Sequence, residues 1–379
     1  MSQPICKITD LIFTRFELVD LDKQKEFMNH FGCKLAYETD NSIFFKGSGS
    51  YPYIYVASKG DQNRCIGMAY KVDAFEDLQN LSSNLNVEIV DNNEPGGGKK
   101  VTLIDPEGLE IEIYYGMNEI VPEIKTSPKL NTGNSTERIK SNPPNAEDRV
   151  NELQRIGQAS DEWQLQDDKW IYNLRTSVKR VGHTAINCKD AKESIRWYSE
   201  NLGLLVTNYI MGPDGSDHMG AFMRADTGDI PADHHILNNV QFPGEGDFAP
   251  YGHAGYEVSG SVDDLMAGHH HLKSVDKYPH EWGIGRHLLG SQMYDYWRDS
   301  YGFTHEHWTD GDFLDSSHPP EKTPFRDTIM AQYGPFAPSS FGVSVPNDQL
   351  EEVRKNPRLD QVVAMVEKGE IPMNPEENK

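Results

Sequence analysis

An α+β fold of two domains, each built from paired βαβββ modules, is what this 379-residue sequence predicts. Two internal echoes and one break in composition carry the prediction. Residues 13–32 (FTRFELVDLDKQKEFMNHFG) and 181–203 (VGHTAINCKDAKESIRWYSENLG) follow one plan: a short strand, an Asp, a helix with aromatics, then Gly. The helix aromatic, Phe27 or Trp197, comes seven residues after Asp20 or Asp190. Residues 101–116 and 293–311 form the second echo, strand–turn–strand with Asp-x-x-Gly at the turn. Self-similarity of this kind marks a repeated structural unit. The break lies between Thr126 and about Asp148, where Ser, Asn, Thr, Pro and Lys dominate and Pro143 and Pro144 are adjacent.

The first domain is expected over residues 1–120, with modules at about 8–60 and 61–117. Its last strand alternates Leu109, Ile111 and Ile113 with Glu110 and Glu112. The turn before it is Asp105-Pro106-Glu107-Gly108. Gly96, Gly97 and Gly98 have no GKS or GKT behind them, so they read as a turn into a strand near Val101, not as a phosphate loop. Residues 121–178 read as a linker. Within it, Val150, Leu153 and Ile156 predict a short amphipathic helix over Glu147 to Gly157. The second domain, 179–311, divides into modules at 179–243 and 251–309, and 312–379 forms an extension.

Charge narrows the choice of partner. Lys plus Arg number 36 against 59 Asp plus Glu, a net charge of −23. Nucleic acid and anionic membrane surfaces need clustered cations, which this balance argues against. The chain has no apolar run of the roughly 18 residues a spanning helix needs, and MSQPICKITD lacks a signal peptide's basic and apolar regions. A cytoplasmic location is the expectation. Cys6, Cys33, Cys65 and Cys188 are too scattered for a disulfide framework or a metal knuckle, and read as small buried residues.

A repeated βαβββ module with a DPxG turn before its last strand resembles the vicinal-oxygen-chelate superfamily. The resemblance covers about residues 8–117 and 179–310 and implies a cupped mixed sheet around a cavity with a metal site. Two neutral imidazoles and one carboxylate on one side of an ion leave three positions free, which suits non-haem Fe(II) meeting a chelating substrate and O2. His183 opens the first strand of the third module, His253 opens that of the fourth, and Glu306 lies on the fourth module's last strand.

A second cluster sharpens the resemblance. His287 precedes Tyr296 by nine residues, and Tyr296 precedes Glu306 by ten. With His183, His235 and His253, this ordered set is similar to the type I extradiol ring-cleaving dioxygenases. That resemblance implies Fe(II), with Mn(II) also compatible, bound by His183, His253 and Glu306. It implies that His235 is the acid–base group beside O2, that His287 hydrogen-bonds a substrate oxygen, and that Tyr296 helps to deprotonate a catechol hydroxyl. Imidazoles titrating near neutrality can take such protons and return them. The implied partners are a small catechol and O2, in a homo-oligomer. Leu289 and Gly290 depart from the polar residues of several relatives, so substrate preference does not transfer.

Other features read as structural. His234 should face away from His235, and His305 and His307 away from Glu306. His269-His270-His271 reads as a solvated loop or helix end. Aligning the repeats sets Phe13, Gly67 and Glu112 opposite His183, His253 and Glu306, so the first domain lacks a ligand set. A 2-oxo-acid-dependent dioxygenase would space its ligands more widely and evenly than 183, 253 and 306. A glyoxalase-type isomerase would draw ligands from several modules. A small-molecule binding protein would not need His235 or Tyr296. The Pro- and aromatic-rich stretch after Asp312 predicts a lid over the pocket, with Arg326 toward a polar substrate group, or else packing on another subunit. After about Val353 a surface helix and a loose end are expected.

Overall fold

The computed structural model describes residues 3–123, 176–212, 217–241, 249–259 and 262–368, with short stretches at 133–134, 163–166 and 169–172 and Gly215. The helix expected over Glu147 to Gly157, and most of the linker, lie outside these residues.

Four βαβββ modules follow one another. The first is β1 (Asp10–Leu18), α1 (Leu21–His30), β2 (Lys34–Glu38), β3 (Ser42–Lys46) and β4 (Tyr55–Lys59). The second is β5 (Arg64–Lys71), α2 (Phe75–Leu85), β6 (Val90–Asp91), β7 (Lys99–Ile104) and β8 (Glu110–Tyr115). A two-stranded ribbon, β9 (Trp163–Gln166) and β10 (Lys169–Tyr172), comes next. The third module is β11 (Val178–Cys188), α3 (Ala191–Leu202), β12 (Leu205–Met211), β13 (His218–Arg224), the short β14 (Ala232–Asp233) and β15 (Leu237–Gln241). The fourth is β16 (Tyr251–Val258), α4 (Val262–Val275), β17 (His280–His287), β18 (Met293–Arg298) and β19 (Thr304–Thr309).

The echoed residues have local jobs. Asp20 and Asp190 are helix N-caps, each accepting from the backbone N–H groups two and three residues on. Phe27 is fully buried, whereas Trp197 is half-buried and the core position beside it belongs to Tyr198. At the Asp-x-x-Gly turns, Asp105 accepts from the N–H groups of Glu107 and Leu109, and Asp299 from those of Tyr301 and Phe303. The turn glycines, Gly108 at φ +87° and Gly302 at +89°, adopt a backbone that residues with a Cβ disfavour.

The first two modules make an eight-stranded mixed sheet in the order β2-β3-β4-β1-β5-β8-β7-β6. The second pair makes the core of a ten-stranded sheet, β21-β12-β13-β15-β11-β16-β19-β18-β17-β22. Its edge strands β21 (Glu321–Pro324) and β22 (Ala331–Tyr333) come from the C-terminal extension, which also carries β20 (Phe313–Leu314), α5 (Phe325–Ile329), α6 (Leu350–Val353) and α7 (Leu359–Glu367). The extension thus pairs with both edges of the sheet that precedes it, and covers backbone groups that would otherwise be open. Residues from β11, β12, β13, β15, β16, β17 and β18 all line one cavity, so this sheet curls into a cup.

One hydrophobic cluster runs through both domains. Phe16 packs on Tyr251 and Phe303 across the domain boundary, Phe31 stacks on His307 at 3.8 Å, and Thr14 hydrogen-bonds Tyr256 at 3.1 Å. His305 and His307 therefore face the first domain and not the cavity. The four cysteines are free, three buried and Cys65 half-buried, and burial pushes the Cys188 thiol up to about 12. Among the described residues no helix is long and apolar enough to cross a membrane.

Phe16 is fully buried at this boundary. Phe16→Ala should cost about 3–5 kcal/mol in urea unfolding; a loss below about 1 kcal/mol would show that the two sheets do not depend on each other.

Candidate metal centre

Three adjacent strands bring ligand-type side chains to one face. His183 on β11 lies opposite Gly255 on β16, Gly255 opposite Glu306 on β19, and Glu306 opposite Tyr296 on β18. Side chains alternate along strands, so these positions form one row, with His253 two residues from Gly255 on the same face. Gly255 is the gap in that row. A Cβ there would lie 2.2 Å from Cε1 of His183. With none present, the His183 ring leans across β16, and its Nε2 lies 2.8 Å from Oε2 of Glu306. Nε2 of His253 is 3.6 Å from the same oxygen. The three residues' ligand atoms all fall within 4.8 Å of one another.

Burial sets the charge states. Glu306 is fully buried, and burial pushes its carboxyl up to about 8 despite the opposing pull of His253 and the Tyr296 hydroxyl. Its Oε1 has no hydrogen-bond partner of acceptable geometry, although that hydroxyl is near enough to lower the pKa. Burial also depresses His183 and His253 to about 3, which leaves both rings neutral near pH 7. A buried carboxylate with unused lone pairs between two neutral imidazoles is costly without a cation. The donor set fits a divalent first-row metal with positions left open.

A cavity of about 700 Å³ lies over this row, lined by His183, His235, His253, His287 and Tyr296, with Glu306 outside its lining. The His235 ring centre is 4.4 Å from that of His183. Its tautomer follows from a chain of hydrogen bonds. The amide nitrogen of Asn208 donates to Oγ1 of Thr323 at 3.0 Å, which aims the amide oxygen at Nε2 of His234, 2.8 Å away. His234 therefore carries its proton on Nε2, and its Nδ1 accepts from Nδ1–H of His235 at 3.1 Å. Nε2 of His235 is left as the acceptor. Burial and the neighbouring imidazoles hold this ring neutral, its pKa well below the usual histidine value. His234 does not line the cavity, but the expectation that it faces away from His235 is corrected: the pair lies in the bend between β14 and β15, where side chains need not alternate, and His234 braces its neighbour. Gly290, at φ +69°, packs on the His234 ring, which accounts for glycine at that position.

Nε2 of His287 and the Tyr296 hydroxyl share a 2.9 Å hydrogen bond. Burial lowers the His287 pKa and raises that of Tyr296, so the proton rests on the phenol. The Tyr294 ring stacks on His287 at 4.0 Å, and Trp282 stacks on Tyr296 at 5.5 Å. Trp282 and Gly255 escaped the sequence reading, and Phe341 entered it only as part of the aromatic-rich stretch after Asp312. Of the first two, Gly255 alone had a signal there, two residues after His253 and so on its face of the strand.

The reading of His269–His271 as a solvated loop or helix end holds for His270, which is exposed, and is corrected for the other two. These residues lie within α4, and His271 is fully buried on its inner face against His30. His269 and His280 approach one oxygen of Asp295 at 3.0 and 2.8 Å, while Nε1–H of Trp297 donates to the other at 2.6 Å. Burial opposes ionisation of Asp295, but the two imidazoles outweigh it and hold the carboxyl at about 2. This cluster sits on the face of β18 opposite Tyr296.

In the first domain the same row reads Phe13, Ala69 and Glu112. Phe13 and Gly67 replace the imidazoles, and Glu112 is neutralised by Arg15 at 3.0 Å and Lys100 at 2.6 Å.

Comparison with known proteins agrees with this fold. The family profile of the glyoxalase/bleomycin resistance protein/dioxygenase superfamily matches residues 180–277. Metapyrocatechase 2 of Cupriavidus necator is 22% identical over 331 residues, covering 86% of this chain and 88% of that protein. The Mn(II)-bound glyoxalase of Novosphingobium aromaticivorans superposes with a TM-score of 0.64 at 18% identity, over 90% of this chain and 99% of that one. A variant of homoprotocatechuate 2,3-dioxygenase from B. fuscum, solved with HPCA, gives 0.62 at 17% identity over 86% and 77%. The 2,3-dioxygenase LapB from Pseudomonas sp. KL28 gives 0.61 at 15% over 85% and 99%.

Gly255→Ala changes no ligand, yet should weaken divalent-metal binding about 10–100-fold, as loss of outer support does at other sites. Wild-type affinity by calorimetry would remove the gap from this account. In metal-free protein the native state keeps the Glu306 proton between the ordinary value of 4.5 and about 8, where the unfolded state has lost it. The contribution of this group to stability therefore falls as pH rises through that window. The urea midpoint of Glu306→Gln, relative to metal-free wild type, should shift in favour of the variant across that range; a difference that ignores pH would contradict a buried ionisable carboxyl.

Proposed function

We infer that this chain is an extradiol dioxygenase that opens a catechol-type ring with O2 at a non-haem Fe(II) site held by His183, His253 and Glu306. One observation carries the reading: a single cavity combines His183 and His253, with Glu306 behind them at 2.8 Å from His183, His235 at 4.4 Å from His183, and the His287–Tyr296 pair at 2.9 Å. A protein that merely sequestered a small molecule would have no use for neutral bases beside a metal triad. Iron, when bound, supplies the positions at which the diol oxygens and O2 meet; Mn(II) accepts similar ligands.

The chain's own residues manage protons and water. Tyr296 and His287 form a relay that takes a proton from one catechol hydroxyl. His235, with its lone pair on Nε2, takes a second proton and returns it as the ring opens. Both atoms of O2 enter the product, so no external reductant is needed. The extension acts as a lid: Phe325, Ile329, Phe341 and Val363 line the cavity and exclude water. Arg326, exposed and paired with Asp327 at 3.4 Å, lies at its rim. Assembly into a homo-oligomer, implied by the resemblance, is read by light scattering.

The likeness to a glyoxalase raises an isomerase reading, which predicts turnover without O2. Anaerobic iron loading followed by a catechol panel, with O2 uptake and visible absorbance recorded together, separates the two. A yellow ring-fission product with matching O2 uptake is expected, and none with any catechol would overturn the assignment. His183→Ala and His253→Ala should lose bound iron and turnover together. His235→Gln, His287→Gln and Tyr296→Phe should keep iron and lose about 10²–10⁴-fold in kcat; loss of iron from these three would show that they are ligands or props.

A further inference from the structure

We propose that the substrate is a catechol carrying a large, uncharged apolar substituent, and that the C-terminal extension is the wall that recognises it. The proposal rests on the extradiol reading above and adds a substrate class to it.

Size is the first argument. A cavity of about 150 Å³ is enough to hold benzene, whereas this one is about 700 Å³, within the range of sites for much larger ligands. A bare catechol would leave most of it filled with water. Chemistry is the second. Away from the metal row the walls are Met211, Phe222, Val240, Ile329, Phe341 and Val363. Two of the four amides that line the cavity are committed elsewhere: Asn187 donates to the carbonyls of Ala249 and Gly342, and Asn238 to that of Ala221, while Gln241 and Gln292 complete the lining. Two cations line the cavity, Lys322 and Arg326, and both are exposed at its rim. A carboxylate on the substituent would find no buried cation to pair with, and burying it alone would be costly. An alkyl or aryl group would find matching surface.

Position is the third. Phe341 packs against the rings of His253, at 5.8 Å, and Tyr296, at 5.0 Å. Phe325, Ile329, Leu359 and Val363 belong to the hydrophobic cluster that continues from Tyr296 and Trp282. A ring held at the metal would therefore direct its substituent along α5 and α7. The surface helix expected after about Val353 is α7, but it also walls the cavity through Leu359, Val362 and Val363; the expected loose end lies outside the described residues.

The test compares catechol, 4-methylcatechol, 4-butylcatechol, 4-phenylcatechol and 3,4-dihydroxybenzoate with the iron-loaded enzyme, following O2 uptake. Tryptophan fluorescence titration with 4-alkylphenols measures binding to the metal-free chain independently of turnover. Each added methylene should tighten binding and raise kcat/KM about fourfold until the cavity is full, and 4-phenylcatechol should exceed 3,4-dihydroxybenzoate by at least a hundredfold. Val363→Trp, and Val363→Phe should the first misfold, should shift preference back toward unsubstituted catechol. O2 uptake that is greatest with catechol or the carboxylate would overturn this proposal and leave the extradiol reading standing. No uptake with any diol, alongside size-dependent phenol binding, would overturn the extradiol reading and keep the apolar cavity. Binding that ignores chain length would overturn the proposal on its own.

Discussion

Everything in the second domain's cavity depends on a side chain that is missing. At Gly255 the row from His183 to Glu306 is interrupted, and the imidazole fills the space. Without that vacancy, His183 and Glu306 would be held apart by the strand between them. With it, two residues on non-adjacent strands reach a distance of 2.8 Å, and His253 closes the group from the intervening strand. A stiff sheet fixes ligand geometry better than loops can. It also makes the site intolerant: no rearrangement of β16 could restore room for the ring without disturbing its pairing with β11 and β19.

The first domain shows what the same scaffold does without that arrangement. Its row keeps the carboxylate, Glu112, but Phe13 takes the place of the leaning imidazole and Gly67 that of the other. Arg15 and Lys100 then supply the positive charge that a metal supplies elsewhere. Phe13 packs instead on Tyr53 and Tyr114. The outcome is a filled core that presents Phe16 and Phe31 to the back of the second sheet. There His305 and His307, flanking Glu306 on β19, are buried against them. The strand that carries the carboxylate is thus clamped from behind by the domain that has no site.

The module plan was legible because its marks are local: an N-capping Asp, an Asp-x-x-Gly turn, and alternation along a strand. Order and spacing singled out six candidate site residues; five of them line one cavity, and Glu306 lies within ligand distance of His183 and His253. What sequence could not provide was depth. Neither the orphaned oxygen of Glu306 nor the hydrogen-bond chain from Thr323 to His235 follows from neighbours in the chain, since Asn208 and Thr323 are distant from His234 in sequence. The His269–His271 tract misled for the same reason. Whether a histidine on a helix is solvated depends on what the helix covers, and here it covers Asp295 and His30. Phe341 was marked only as part of an aromatic-rich stretch, because its own importance comes from tertiary contacts with His253, Trp282 and Tyr296.

The extension joins the closing of the sheet to the shape of the cavity. Its strands β21 and β22 occupy opposite edges of the cup, so the chain between them must cross the opening. β22 pairs with β17 where His287 faces Ala331, and β21 pairs with β12 where Asn208 faces Glu321. Both pairings anchor residues that touch the site: Asn208 braces His234, and the His287 backbone carbonyl accepts from the Gln332 side chain at 3.0 Å. Because the same residues close the sheet, hold two of the histidines and line the far wall, a change of substituent preference in this scaffold has few independent positions to act through. Those on the half-buried face of α7, which no strand pairing constrains, are the least encumbered.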